Sequence, residues 1–116
     1  MKKCVSTLVT LAGLSWTLTM AMAVQASDVH ETYEENCAKC HGADGKGKTK
    51  MAEKSSLSSD FTDPKVQMRM KDEEMIKVIR EGVKEKETGK KRMRGYDELS
   101  EAEMKQLVAL IRTFAK

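Results

Sequence analysis

Two cysteines and a histidine stand close together in the first half of the chain. They belong to the run Cys37-Ala38-Lys39-Cys40-His41, a Cys-x-x-Cys-His pattern. On a helix, positions i, i+3 and i+4 share one face, so both thiols and the imidazole would point the same way. Two such thiols can add to the two vinyl groups of a haem while the imidazole binds the iron. The pattern therefore predicts a covalently attached c-type haem, with Cys37 and Cys40 as its thioethers and His41 as the proximal iron ligand.

Three other interpretations of this run compete with haem attachment. A redox-active dithiol is expected beside a βαβ pattern, and the sequence around Cys37 contains no convincing strand. A zinc site needs a fourth ligand, and the only other histidine is His30. A chance occurrence of five residues is the third alternative. The restrictive spacing of the cysteines and histidine favours haem attachment.

The first 26 residues have the layout of a secretory signal peptide. A basic tip is followed by an uncharged stretch that ends in small residues. Cleavage after Ala26 is favoured over cleavage after Ala23. An uncleaved membrane anchor is the alternative, because the stretch is about long enough to span a bilayer, although its many Ser and Thr residues make it weakly apolar. We therefore expect an exported, periplasmic protein made of a signal peptide (1–26) and one domain (27–116).

Removal of this signal leaves a nearly neutral chain with a thin core. Loss of Lys2 and Lys3 lowers the basic residues from 21 to 19, against 18 acidic residues. Cys37 and Cys40 are then the only cysteines, so we expect no disulfide. A domain of this size commonly needs a cofactor or crosslink to complete its core. We expect the haem to fill that role and the haem-free chain to be largely unfolded.

The predicted order of elements is helix, long loop, helix, basic loop, helix. The first helix is expected to begin at Ser27 or Asp28, because Asp28 and Glu31 can form a capping box. Val29 and Tyr33 share its apolar face with the cysteines. This places the haem attachment on the side of the helix that meets the core.

A glycine-rich turn and a long polar segment follow the first helix. Three glycines between positions 42 and 47 allow a tight turn against a flat cofactor. A phosphate-binding loop is a poorer explanation, because no strand precedes the glycines and their spacing is wrong. Residues 48–64 are predicted to be irregular, with Met51, Leu57 and Phe61 directed inward.

The second half contains two clearer helices. Residues 66–70 are ambiguous between a helical turn and an extended piece. Acidic residues at the start and Gly82 at the end predict a helix over 72–81, and residues 83–94 look like a polar loop. The last helix has a strong start signal in Ser100 and Glu103, which can form a capping box. Its predicted buried face consists of Met104, Leu107, Val108, Leu110, Ile111 and Phe114.

Along residues 28–116 the chain resembles the class I monohaem cytochromes c of bacterial periplasms. The resemblance rests on four segments: the Cys37–His41 motif, the glycine turn at 42–47, Asp60-Phe61-Thr62-Asp63-Pro64, and Met93-Arg94-Gly95-Tyr96-Asp97-Glu98-Leu99-Ser100. It implies a small all-α fold, with three to four helices and long loops wrapped around one covalently bound haem. It also implies that Met93, three residues before Tyr96, is the distal iron ligand.

Other residues compete with Met93 for that role. Met75 and Met104 fall on helical stripes and are explained as packing, and Met51 follows His41 too closely to round the haem easily. His30 would give two histidine ligands, but it lies awkwardly on the first helix. The remaining candidates, Met68 and Met70, lie in the ambiguous segment. Met93 stands in a polar stretch with little packing reason for an apolar side chain.

The chain departs from the family pattern at two positions. Family members usually have a proline after the haem motif, and its carbonyl accepts the N–H of the proximal imidazole. The single proline here is Pro64, so the acceptor for His41 is not evident from the sequence. Val29 stands where family members often have a glycine, which widens the expected helix crossing.

The predicted ligand set implies a one-electron carrier rather than an enzyme. An iron with two protein ligands has no open position for a substrate, and His/Met ligation raises the reduction potential. The alternatives are an open or labile distal site, giving a peroxidase-like or gas-binding protein, and an electron-entry subunit of a larger redox enzyme. Neither nucleic acid nor, after signal cleavage, a membrane is expected as a partner.

Basic residues close to the haem motif and to Met93 suggest how redox partners would bind. Transient docking on acidic donors and acceptors would use a positively charged rim. Solvated loops without a binding role are the alternative. The residues expected in this rim are Lys46, Lys48, Lys50, Lys90, Lys91 and Arg92.

Overall fold

The computed structural model describes residues 28–55 and 59–115, and helices dominate this part of the chain. The helices are α1 (Val29–Asn36), α2 (Ala38–His41), α3 (Lys50–Ser55), α4 (Pro64–Arg69), α5 (Asp72–Glu81) and α6 (Glu101–Arg112); the strands are β1 (Val83–Lys84) and β2 (Lys91–Met93). The small all-α fold is confirmed. The described ranges contain no helix that is long and apolar enough to cross a membrane. The predicted signal peptide lies outside the described residues.

Helix α6 carries the largest share of the core. Ser100 accepts a hydrogen bond from the N–H of Glu103, and the Glu103 carboxylate accepts one from the N–H of Ser100, so the predicted capping box is confirmed. The face of α6 that packs against α1 and α5 buries its predicted apolar residues. Buried on this face are Met104, Leu107, Val108, Leu110 and Ile111, and Phe114 packs beside them.

Helix α1 begins after Asp28 as predicted, but the Asp28–Glu31 capping box does not form and the helix ends at Asn36, so the cysteines do not lie on it. Asp28 caps it by accepting a hydrogen bond from the N–H of His30. Cys37, with φ −113° and ψ −38°, separates α1 from α2. The ring of Tyr33 lies 5.4 Å from that of Phe114, centroid to centroid, which joins α1 to the end of α6.

The segment between the glycine turn and α5 is more helical than predicted. Thr49 accepts a hydrogen bond from the N–H of Ala52 and so caps α3. The side of α3 that turns inward carries Ala52, which is 1% exposed, whereas Met51 is 51% exposed. The prediction that Met51 points inward is therefore wrong. Phe61 is buried, so the prediction that it points inward is confirmed. Leu57 lies outside the described residues.

Two further segments form regular structure, one where the sequence was ambiguous and one where it predicted a loop. Residues 64–69 form α4, which begins with Pro64 and is capped by Asp63. Residues 83–94 form an antiparallel hairpin, in which Val83 pairs with Met93, instead of the predicted loop. The hairpin turn is closed by a hydrogen bond from the N–H of Glu85 to Lys90 O at 2.9 Å. Met93 therefore lies at the end of strand β2 and not in the predicted loop.

Candidate haem site

One cavity of about 410 Å³ brings the predicted haem residues together. Cys37, Cys40 and His41 line it from α2 and the residue before it, and Met93 lines it from the end of β2. Residues that lie more than fifty positions apart in sequence therefore share one cavity.

A single helical turn presents the two thiols and the imidazole. Cys37 O accepts hydrogen bonds from the N–H of Cys40 at 3.1 Å and from the N–H of His41 at 2.9 Å. Gly42 ends this turn with φ +79°, a conformation that glycine adopts readily. No disulfide joins the two cysteines. Burial, and then the neighbouring Cys40, raise the pKa of Cys37 to about 11.

The His41 side chain is suited to bind a metal. Burial lowers its pKa, which favours the neutral imidazole that metals require. Its Nδ1 atom is buried and has no hydrogen-bond partner in the part of the chain that the structure describes. The imidazole stacks on the Phe61 ring with 4.8 Å between ring centroids and 19° between planes.

Three methionines line the cavity, and the sequence alone could not show which methionines lie there. Met75 comes from α5, Met70 from the residue after α4, and Met93 from β2. Among the described residues, Met51 and Met68 are 51% and 79% exposed and lie outside the lining, as does Met104 in the core. His30 is on the exposed side of α1.

The remaining wall is apolar, with cationic groups beside it. Val78 is 38% exposed although it lines the cavity, as expected for a wall that a flat cofactor would cover. Arg69, Arg92 and Arg94 also line the cavity. Sequence reasoning did not single out Arg69, because it falls in the segment whose conformation was ambiguous.

Arg92 is bound to other residues of the chain, unlike a solvated residue of the predicted rim. Its guanidinium donates to Ser55 O at 3.0 Å and forms an ion pair with Glu85. Arg94 pairs with Glu98 at 2.8 Å and lies over the Tyr96 ring. In contrast, the lysines predicted to form the rim (Lys46, Lys48, Lys50, Lys90 and Lys91) are all exposed.

The residues that line the cavity fit a haem. The cavity offers two cysteine sulfurs on one helical turn, an imidazole whose burial favours the neutral form, and thioether sulfurs on other walls. Its apolar walls match a largely apolar ring. Softer sulfur and imidazole donors are the ligands that hold iron porphyrins in proteins.

Comparison with known proteins defines the class. The family model for cytochrome c matches residues 26–115, and the chain belongs to the cytochrome c family. Members of this family bind covalent haem c with its iron, which is therefore the cofactor of this protein.

A solved structure titled "KustC0563 c-type cytochrome" is similar to this chain over most of its length. The two are 30% identical with a TM-score of 0.61, and the match covers 77% of this chain and 99% of the other. No curated protein matches the chain at a significant level.

Proposed function

We propose that this protein is an exported, periplasmic one-electron carrier. Cys37 and Cys40 hold the haem through thioether bonds, His41 is the proximal iron ligand and Met93 is the distal one. When bound, the haem supplies a reversible Fe(II)/Fe(III) couple. The observation that carries the proposal is that all four side chains line the same apolar cavity.

The chain's own residues act by holding these ligands and excluding water. The helical turn at α2 presents both thiols and the imidazole from one rigid segment. Met93 ends a strand whose position is set by pairing with Val83. Phe61, Ile79, Leu107 and other apolar residues limit the access of water, which tunes the potential and lessens the rearrangement when an electron is transferred.

The position of Met93 supports it over the other two lining methionines. Met75 is only 7% exposed and belongs to the core cluster formed with α6, so packing explains it. Met70 packs at the edge of the same cluster. Met93 lies outside the core cluster and still lines the cavity. A cavity-facing thioether without a packing role is the better candidate for a ligand.

Mass spectrometry and a redox titration of the exported protein test the proposal. We expect a chain that begins at Ser27, carries the mass of one haem after denaturation, and titrates as a single one-electron couple. The Cys37→Ala/Cys40→Ala variant should lose the covalent haem mass. Haem that is extracted by acidic solvent, or a ferrous spectrum that shifts strongly with CO, would contradict attachment or His/Met ligation respectively.

Partner docking is proposed at the exposed lysines on both sides of the cavity. Lys46, Lys48 and Lys50 follow the haem motif, and Lys90 and Lys91 precede Met93. These charges would steer transient encounters with acidic redox proteins and affect the association rate more than affinity. Because Arg92 is paired with Glu85, its charge contributes less than the sequence suggested.

Electron-transfer kinetics with an acidic partner test the docking proposal. The second-order rate should fall as salt is raised, and Lys90→Gln/Lys91→Gln should lower the rate at low salt. The control Lys105→Gln changes a lysine on α6 that is paired with Glu101 at 2.7 Å and should leave the rate unchanged. Rates that are equal at low and high salt would refute electrostatic docking.

A further inference from the structure

Within residues 28–55 and 59–115, no group forms a hydrogen bond with the Nδ1 atom of His41, which is buried. A metal-bound histidine usually donates its second ring N–H to a carbonyl, carboxylate or water, and this bond sets the rotation of the ring. Some other contact must therefore restrain the His41 ring in this protein.

The Phe61 ring makes that contact. Phe61 lies twenty positions after His41 in sequence and is 6% exposed. The ring centroids are 4.8 Å apart and the planes are inclined by 19°, within the range of stacked aromatic pairs. A nearly parallel neighbour at this distance resists rotation of the imidazole, because rotation would drive one ring edge into the other ring.

The backbone of Phe61 is itself held on both sides. Its N–H donates to Gly45 O at 2.8 Å, and its carbonyl accepts from Gln67 Nε2 at 2.8 Å. The same Gln67 nitrogen donates to Ile111 O at 2.8 Å, which ties this loop to α6. These bonds fix the Phe61 backbone, and burial of the side chain restrains the ring beside the imidazole.

We infer that Phe61 is a positioning residue for His41. The stack sets the plane of the imidazole in the cavity, in the role that a hydrogen bond to Nδ1 plays elsewhere. This inference rests on the proposed function, in which His41 binds the iron. In a low-spin ferric haem the plane of an axial imidazole influences how unpaired spin is distributed over the porphyrin. The order and spread of the haem methyl resonances therefore report the orientation of the ring.

Proton NMR of the ferric holoprotein tests the inference. Phe61→Leu removes the ring and keeps an apolar side chain, and we expect it to change the order or spread of the haem methyl shifts. Phe61→Tyr retains a ring and should preserve the wild-type pattern. Phe114→Leu is the matched control, because it removes the same atoms from a ring that contacts Tyr33 instead of His41. A spectrum of Phe61→Leu that superimposes on the wild type, or an equal change in Phe114→Leu, would overturn the inference.

A measurement on the unmodified holoprotein covers the case in which Phe61→Leu does not fold. In the diamagnetic ferrous state, the ring protons of His41 and Phe61 should show cross-relaxation. Its absence would overturn the inference without any variant. Failure of the proposed function looks different, because His41 would then show no coordination to iron in the wild type. Failure of the inference alone leaves a coordinated His41 whose orientation does not depend on Phe61.

Discussion

Gly82 lies directly against the carbonyl group of Met93. A Cβ atom built on Gly82 would be 2.4 Å from Met93 O and 2.6 Å from Gly95 N. The approach is reciprocal, because a Cβ atom on Gly95 would be 2.5 Å from Arg80 O. The end of α5 and the end of β2 therefore meet at two glycines. This close contact determines where Met93 leaves its strand beside the cavity.

Gly82→Ala should displace Met93. Gly82 has φ +73°, so an added methyl group meets both backbone strain and a collision with the Met93 carbonyl. We expect a loss of about 1–3 kcal/mol in the free energy of unfolding, together with weaker methionine ligation in the ferric spectrum. Gly89→Ala is the control, since Gly89 has φ +67° but no atom within 4 Å of the added carbon. Equal losses in both variants would show that the collision has no effect.

Tyr33→Phe should destabilise the protein more than Tyr96→Phe. The Tyr33 hydroxyl donates a buried hydrogen bond to Gly42 O at 2.9 Å, just after His41. The Tyr96 hydroxyl makes an exposed bond of the same length to Asn36 O. Denaturant unfolding should show a loss of about 1–2 kcal/mol for the buried bond and less than about 0.5 kcal/mol for the exposed one. The reverse order would contradict the assigned roles.

The same tyrosine predicts a loss of stability at alkaline pH. Burial raises the pKa of Tyr33 above its ordinary value of 10.0. Above pH 10 the unfolded chain therefore releases a proton that the folded chain retains, and stability falls as the pH rises. The free energy of unfolding should fall less steeply in Tyr33→Phe than in the wild type over this range. Equal slopes would mean that Tyr33 does not contribute to the alkaline loss.

Arg112→Met should loosen the packing of α4 on α6. The Arg112 guanidinium donates to Gln67 O and Gln67 Oε1 at 2.7 and 2.8 Å, and to Met70 O and Asp72 Oδ1 at 2.5 Å each. Its removal leaves buried acceptors on Gln67 unsatisfied, at a cost of about 1–3 kcal/mol measured by denaturant unfolding. Lys105→Met breaks only an exposed ion pair and should cost less than about 1 kcal/mol. Similar costs for both variants would contradict the role of this network.

Preventing haem attachment should unfold most of the domain. The walls of the cavity include residues of the core cluster, such as Leu107 and Ile111, so an empty cavity would leave core surfaces uncovered. We expect Cys37→Ala/Cys40→Ala to lose most helical circular dichroism and its cooperative melt. Met93→Leu, which retains both attachment thiols, is the control and should remain helical. Near-native helicity in the double variant would contradict the expected dependence on haem.

The haem motif and the last helix could be predicted because their signals are local. The Cys37–His41 spacing fits one helical turn, and the capping box of Ser100 and Glu103 involves residues three apart. The choice between Met51 and Ala52 as the inward residue of α3 could not be predicted. It depends on how the helix is capped and on which side faces the rest of the chain.

The hairpin and the stacked rings could not be predicted from local sequence, because each is a contact between separate segments. Strands β1 and β2 have two and three residues, most of them charged, and they form by pairing with each other. The contact between His41 and Phe61 joins two segments that only the folded chain brings together. Sequence identified Gly82 as the end of a helix, but its close approach to Met93 follows from tertiary packing.

The ferric absorption spectra of three methionine variants show which methionine binds the iron. Methionine bound to ferric haem produces a weak long-wavelength charge-transfer band, and Met70, Met75 and Met93 all line the cavity. Met93→Leu should abolish this band and lower the reduction potential, while Met70→Leu and Met75→Leu should retain the band. Retention of the band in Met93→Leu, or its absence from the wild-type protein, would contradict His/Met ligation by His41 and Met93.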